Sequence, residues 1–144
     1  MEHFLSTTSA LGLCAGFIWN RAMWATGGAG GVALTVSSNT ENLNVNTLAG
    51  GLSEAAEVTL TIESGIWVWS DTTATPALDA STLPAGSTLY IINNGYIGGK
   101  GGAGGVDSGN GSAGGDAIKT NIDLTIDNTS GYIGGGGGGG GSGY

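Results

Sequence analysis

The feature that most constrains this chain is the three-residue phase of its glycines. Residues 98–106 read Gly-Gly-Lys-Gly-Gly-Ala-Gly-Gly-Val, residues 114–116 read Gly-Gly-Asp, and residues 134–141 are eight consecutive glycines. A three-residue period matches a polyproline-II-type helix, which has three residues per turn and makes no internal hydrogen bonds. Glycine at two of three positions lets such helices approach one another and bond sideways, while the third residue of each triplet forms an outward stripe.

The cost of ordering these glycines separates two alternatives. The chain has 31 glycines in 144 residues, 21 of them in residues 95–144. Each costs roughly 0.5–1 kcal/mol more to order than alanine, or about 10–20 kcal/mol for the 21. A packed bundle with lateral hydrogen bonds of about 0.5–1.5 kcal/mol each can offset that cost. The alternative is a flexible linker, and the strict triplet phase favours the bundle.

Composition and charge exclude several classes of protein. The 2 prolines exclude collagen, the single cysteine excludes a disulfide scaffold, and the net charge of −8 argues against nucleic-acid partners. The apolar run 10–18 is shorter than the roughly 20 residues that a membrane-spanning helix needs. We therefore predict neither nucleic-acid binding nor membrane insertion.

Alternation of apolar and polar residues predicts β-strands, because side chains of period two lie on opposite faces of a sheet. The four predicted strands fall within residues 32–37, 42–46, 58–63 and 122–127. Helices are predicted over 4–24 and, as one turn, over 53–57. Residues 70–88, which include Pro76 and Pro84, are predicted to be a loop.

An internal repeat links the strands to the glycine runs. Copies begin at Leu60, Leu89 and Leu124, and each has a strand, a polar turn, a glycine and then a pair of one aromatic residue and one isoleucine. Repeated strand–turn units stack into a β-sheet or a short solenoid. The predicted fold class is therefore mainly β, with strand–turn repeats followed by a bundle of polyglycine-II-type helices and preceded by an apolar docking segment.

The predicted organisation has three parts. Residues 1–30 form an N-terminal docking or oligomerisation segment, residues 31–94 a β-rich domain, and residues 95–144 a glycine-rich tip. The sequence of the first part has too much apolar surface to leave in water, so we expect it to bind a partner. The candidate docking residues are Phe4, Phe17, Trp19 and Trp24.

The repeat and its glycine tracts resemble a known family. Leu89-Tyr-Ile-Ile-Asn-Asn-Gly-Tyr-Ile-Gly-Gly, then Gly114-Gly-Asp-Ala, then Leu124-Thr-Ile-Asp-Asn-Thr-Ser-Gly-Tyr-Ile-Gly-Gly are similar to the glycine-rich tip domain of tailed-phage receptor-binding and tail-fibre proteins. The resemblance covers about residues 57–144. It implies a virion tail protein, made in the host cytoplasm, whose polyglycine-II helices hold loops against the bacterial surface.

The enzyme alternatives have weaker support in the sequence. Gly99–Gly104 matches G-x-G-x-x-G, but the glycine-rich residues after it cannot open the helix that a dinucleotide site needs. His3 is the only histidine, and Asp123 with Asp127 is better explained as the polar side of a strand than as a glycosidase pair. We predict no enzymatic activity, no cofactor and no metal. A cation bound by Asp107, Asn110 and Asp116 stays open as an alternative.

Recognition is therefore the predicted function, with attachment to the bacterial host surface as the first hypothesis. A purely structural tail protein, a cap or cement without direct receptor binding, is the alternative. The glycine energetics favour a homo-oligomer. The resemblance implies that it is a trimer, bound to other phage tail proteins and to a bacterial surface protein or glycan. Trp67 and Trp69 could stack on sugar, but packing in the trimer core is favoured. The candidate receptor-binding residues are Lys100, Asp107, Ser108, Asn110, Ser112, Asp116, Ser142 and Tyr144.

Overall fold

The structure is a computed structural model that describes residues 31–143. Those residues are mainly β, as the sequence predicts. The elements are, in chain order, β1 Gly31–Val36, β2 Thr40–Glu41, β3 Leu43–Asn44, α1 Val45–Leu48, β4 Glu57–Ile62, β5 Trp67–Trp69, β6 Leu78–Asp79, β7 Thr88–Asn93, β8 Tyr96–Gly98, β9 Ile118–Lys119, β10 Asp123–Asp127 and β11 Tyr132–Gly134.

All strand pairs in the described residues are parallel and form three sheets. Sheet one has the order β1-β4-β7-β10, sheet two β2-β5-β8-β11, and sheet three β3-β6-β9. Each turn of the chain adds one strand to each sheet, and the fourth turn supplies β10 and β11. The chain therefore winds as a short parallel β-solenoid, and equivalent residues of successive coils lie above one another.

The core lies inside the solenoid and follows from the period-two alternation. On sheet one, Leu60 stacks between Leu34 and Ile91, and its side chain is fully buried. Val68 and Ile97 fill the same interior from sheet two, and Leu78 from sheet three. Stacking identical faces from coil to coil gives each inward side chain two apolar neighbours, which removes its surface from water.

The solenoid is less well covered at its fourth coil. Ile126 lies opposite Ile91 and faces the interior, yet 38% of its surface is exposed. Leu124 and Ile133 are only partly buried for the same reason, because no fifth coil lies above them in the described residues. Asp123 and Asp127 begin and end this edge strand, and charges at a sheet edge oppose pairing with another strand.

The repeat is confirmed in two copies and corrected in the third. Leu89 pairs with Leu124 as predicted, but it pairs with Val58 on the other side, so the copy that we began at Leu60 starts two residues earlier. A shift of two keeps the same face inward, which is why the alternation alone could not reveal it. The strand at Val32 is a further copy, since it pairs with Val58.

Three local predictions were wrong. The strand over 42–46 stops at Asn44, because the Asn44 side chain accepts a hydrogen bond from the Thr47 amide at 2.9 Å and caps helix α1. The helical turn predicted over 53–57 is absent, and Glu57 begins β4. The loop predicted over 70–88 contains β6 and the first residue of β7.

A buried asparagine holds the corner between sheet one and sheet two. Asn93 is 1% exposed, and its Nδ2 donates to Asn128 Oδ1 at 2.7 Å and to the Tyr132 carbonyl at 3.2 Å. Its Oδ1 accepts from the Gly95 amide at 3.1 Å. One side chain thus satisfies polar groups on the third and fourth coils, as burial demands.

We expect Asn93→Leu to destabilise the solenoid by about 2–4 kcal/mol, because it leaves the buried Gly95 amide without the acceptor that Asn93 supplies. Urea unfolding followed by circular dichroism measures this loss. Asn128→Ala is the matched control, since it removes only one acceptor of Asn93 and should cost less. Equal losses for the two variants would contradict this role for Asn93.

The glycine-rich residues carry little assigned secondary structure. Residues 99–117 and 135–143 are neither helix nor strand, so the predicted bundle of polyglycine-II-type helices is not seen among the assigned elements. The three-part division of the chain stays a prediction. Strands β8 to β11 fall within residues 95–144 and complete the same sheets as the earlier strands.

Candidate functional site

Three glycine-rich segments lie side by side beyond the solenoid. The first segment, residues 98–106, continues from β8, and the third segment, residues 134–143, continues from β11. Because β8 and β11 are parallel neighbours, these two segments leave the solenoid in the same direction. The second segment, residues 109–116, runs back beside both of them to β9.

Hydrogen bonds that repeat every three residues connect each of the three segments to the other two. In cross-section the segments therefore form a closed triangle, which we call the glycine triangle. The amides of Gly99, Gly102 and Gly105 donate to the carbonyls of Gly134, Gly137 and Gly140 at 2.8–2.9 Å. The third segment donates to the second through Gly136, Gly139 and Ser142, and the second donates to the first through Ser112 and Gly115. Each segment therefore has two hydrogen-bonded neighbours within one chain.

One glycine in three is required by the packing of the triangle. A Cβ atom at Gly139 would collide with the Ala103 carbonyl, and a Cβ atom at Gly136 with the Lys100 carbonyl. The other members of this inward set collide with backbone in the same way: Gly99, Gly102, Gly105, Gly111 and Gly114. Lys100, Ala103 and Val106 are exposed, so the outward stripe predicted from the triplets is observed.

The far end of the triangle is a tight turn between the first and second segments. The Gly109 amide donates to the Val106 carbonyl at 2.8 Å, and Asp107 and Ser108 have positive φ values of 48° and 63°. Two central residues with positive φ are typical of a type I′ turn. Val106 is 75% exposed there, and sequence reasoning did not select it as a site residue.

The predicted receptor-binding residues are spread over the length of the triangle. Asp107, Ser108 and Asn110 are exposed at the far turn, Ser112 is exposed at the middle, and Lys100 and Asp116 are exposed at the base next to the solenoid. Ser142 reaches the far end, where its amide bonds to the Gly109 carbonyl, but its Oγ is buried. Tyr144 lies outside the described residues.

The structure does not bring together the three side chains of the alternative cation site. Asp107 lies at the far turn and Asp116 at the base, so these two carboxylates do not converge with Asn110 on one point. Within residues 31–143, no three His, Cys, Asp or Glu side chains are grouped to hold a metal ion. No helix in the same range has the length and apolar character to cross a bilayer.

A pair of carboxyl groups lies beside the base of the triangle. The side-chain Nδ2 of Asn42 donates a hydrogen bond to Asp71 Oδ1 at 2.7 Å and lowers the pKa of Asp71. The hydrogen bond between Glu41 and Asp71 raises the pKa of Glu41. Lys100 also acts on Asp71 through its charge, which connects this pair to the first glycine segment.

Aromatic side chains cover the outer face of sheet two. Trp67, Tyr96 and Tyr132 are in register on neighbouring strands and are 47%, 38% and 60% exposed. The rings of Trp67 and Tyr96 stack with centroids 4.3 Å apart. Trp67 thus lies outside the core of this chain, because the interior position on β5 belongs to Val68.

A comparison of the sequence with protein families identifies the family of the chain. The family model of the phage tail fibre adhesin Gp38 matches residues 31–144. The chain belongs to this adhesin family. The adhesin is therefore a component of the virion tail that attaches the phage to its host, through contacts with other tail proteins and with the host surface. The match extends the resemblance, which began near residue 57, back to the first coil.

The comparisons with curated proteins and with solved structures gave no match. The four predicted docking residues of the adhesin, Phe4, Phe17, Trp19 and Trp24, precede both the family match and the described residues.

Proposed function

We propose that the adhesin contacts its bacterial receptor with the turn at the far end of the glycine triangle. The observation that supports this proposal is the exposed turn over residues 106–109, held at the end of three mutually hydrogen-bonded segments. A rigid support lowers the entropy that a loop loses when it binds. Mixed polar side chains such as Asp107, Ser108 and Asn110 suit adaptable hydrogen bonding to a protein or a glycan.

Lys100 and Asp116, at the base of the triangle, are expected to contribute less to receptor binding than the turn. Two steps of three residues separate Lys100 from the far turn, which is about 19 Å at 3.1 Å per residue. A receptor bound at the turn therefore contacts Asp107, Ser108 and Asn110 before it reaches Lys100 or Asp116. Ser112 and Ser142 remain predicted contacts of lower rank along the same axis. Tyr144, which lies outside the described residues, remains a predicted contact from the sequence alone.

Replacing the turn side chains tests the proposal. The double variant Asp107→Asn, Ser108→Gly keeps residues that favour a type I′ turn and removes the native side chains. We expect purified variant protein to compete with phage adsorption about tenfold less well than the native adhesin, as for an interface hot spot. Unchanged competition would overturn the proposal. Asp116→Asn at the base is the matched control and should compete normally.

We also propose that the three segments are polyglycine-II-type helices. The three-residue period of the lateral hydrogen bonds and of the inward glycines supports this assignment. Residual dipolar couplings of the amides from Gly99 to Gly141 measure the backbone angles directly. Angles far from φ −75° and ψ +145° would reject it.

The homotrimer stays a prediction. Its energetic argument was that neighbouring chains help to offset the ordering of the glycines, and one chain already gives each segment two hydrogen-bonded neighbours. Sedimentation equilibrium of the full chain distinguishes a trimer from a monomer. We further propose that the adhesin acts by binding alone, and unaltered host surface glycans after incubation with it would support that proposal.

We propose that residues 1–30 mount the adhesin on its neighbouring tail proteins, as their aromatic content indicates. Deleting residues 1–25 should abolish incorporation into virions, measured by immunoblot of purified particles, while the turn variant should be incorporated normally. If the deletion leaves incorporation intact, the docking role is wrong. If the turn variant adsorbs normally, the structural alternative, a tail cap or cement, is favoured over direct receptor binding.

A further inference from the structure

The outer face of sheet two contains a small open space between aromatic side chains. Trp69 on β5, Gly98 on β8 and Gly134 on β11 are in register across this face. A Cβ atom built at Gly98 meets nothing within 4 Å, so the surface above Gly98 is open. A Cβ atom at Gly134 would come within 2.9 Å of Tyr132 Cε1, so the Tyr132 ring lies over Gly134.

These positions define a cleft. We call it the side cleft: Gly98 is its open floor, Trp69 and the Tyr132 ring belong to the strands on either side, and Tyr96 precedes Gly98 by two residues on β8. The backbones of β5 and β11 are two strand spacings apart, or about 9.6 Å. That separation leaves room for one six-membered ring between the two strands.

The fold does not need these aromatic side chains to bury the core. The interior positions of the same three strands are filled by Val68, Ile97 and Ile133. Tyr132 is 60% exposed, whereas outward positions of neighbouring sheet one include polar residues such as Thr59 and Thr61. Exposed aromatic side chains gathered on one face are typical of a binding surface rather than of a solvated one.

The chemistry of the cleft selects its ligand. Aromatic faces carry partial negative charge and attract the polarised C–H groups on the apolar face of a sugar ring. Asp71 and Lys100 are exposed beside the cleft and supply an acceptor and a donor for hydroxyl groups. The net charge of −8 disfavours phosphorylated or carboxylated glycans as ligands.

We infer that the side cleft binds the pyranose ring of a neutral glycan, at a site separate from the far turn of the glycine triangle. The turn lies at the far end of the segments, whereas the cleft lies on the solenoid at their base. The two sites therefore offer the adhesin two independent contacts, and neither requires the other.

Saturation-transfer NMR tests the inference with three probes: the methyl glycosides of glucose, galactose and N-acetylglucosamine. We expect transfer to at least one of them from the native adhesin. Gly98→Val fills the floor, where its Cβ atom meets nothing within 4 Å, and should weaken binding about tenfold, as should Trp69→Ala. Tyr90→Ala is the matched control, because Tyr90 is 39% exposed on sheet one, and it should stay within about twofold of the native affinity.

Each result decides the matter. No transfer to any of the three glycosides, or native binding by Gly98→Val, overturns the inference. If Trp69→Ala lowers the melting temperature sharply, its loss of binding could come from unfolding. The binding of Gly98→Val then tests the inference by itself, because this variant removes no aromatic side chain. The turn variant Asp107→Asn, Ser108→Gly should bind the glycosides normally even when it fails to block adsorption, so the two proposals fail separately.

Discussion

Gly139→Ala should disrupt the packing of the glycine triangle and abolish competition with phage adsorption. The new methyl group would overlap the Ala103 carbonyl, which is fixed by its own hydrogen bond from the Ser112 amide. Backbone cannot rotate away as a side chain can, so we expect a cost of about 3 kcal/mol or more. Hydrogen exchange of the Gly102, Gly105 and Ser112 amides measures the loss locally.

Gly140→Ala is the matched control one residue further on. A Cβ atom at Gly140 meets nothing within 4 Å, so the substitution should be neutral or should stabilise by about 0.4–1 kcal/mol through the unfolded state. Equal effects of the two alanines would show that the inward phase does not control the packing.

Leu60→Ala should destabilise the solenoid by about 2–5 kcal/mol. Leu60 is fully buried between Leu34 and Ile91, and its neighbours on two coils cannot collapse into the space that it leaves. Because small domains are stable by only about 5–15 kcal/mol, thermal unfolding should shift to a clearly lower temperature.

Ile126→Ala serves as the comparison within the same stack of side chains. Ile126 faces Ile91 from the fourth coil and is 38% exposed, so its truncation removes less buried surface and should cost less than half as much. A larger loss at Ile126 than at Leu60 would mean that another molecule covers the fourth coil in solution.

Much of the β-structure could be predicted from the sequence because its cause is local. Alternation in Val32–Val36, Val58–Ile62 and Leu124–Ile126 reflects one buried face, and all three segments are strands. Strand β6 escaped prediction because two residues are too few to show a period. Strand β3 ends at Asn44 because the Asn44 side chain caps helix α1. In the sequence, an asparagine three residues before Thr47 is only a weak indication of such a cap.

The candidate site was predictable in part. The triplet phase of the glycines indicated lateral packing, and Asp107, Ser108 and Asn110 were selected from their place between two tracts. The register of the hydrogen bonds between the segments was not predictable, because it depends on the strands from which the segments continue. The stacking of Trp67 on Tyr96 was not predictable either, because it depends on the register between β5 and β8.

The closed triangle also limits how this adhesin can change length during evolution. An insertion of one or two residues in any segment would rotate its inward glycines out of phase and break every hydrogen bond beyond it. Three added residues in each of the three segments would restore all contacts and move the far turn outward by about 9 Å. Viable length variants of this tip should therefore differ by matched triplets, while the turn itself remains free to vary in sequence.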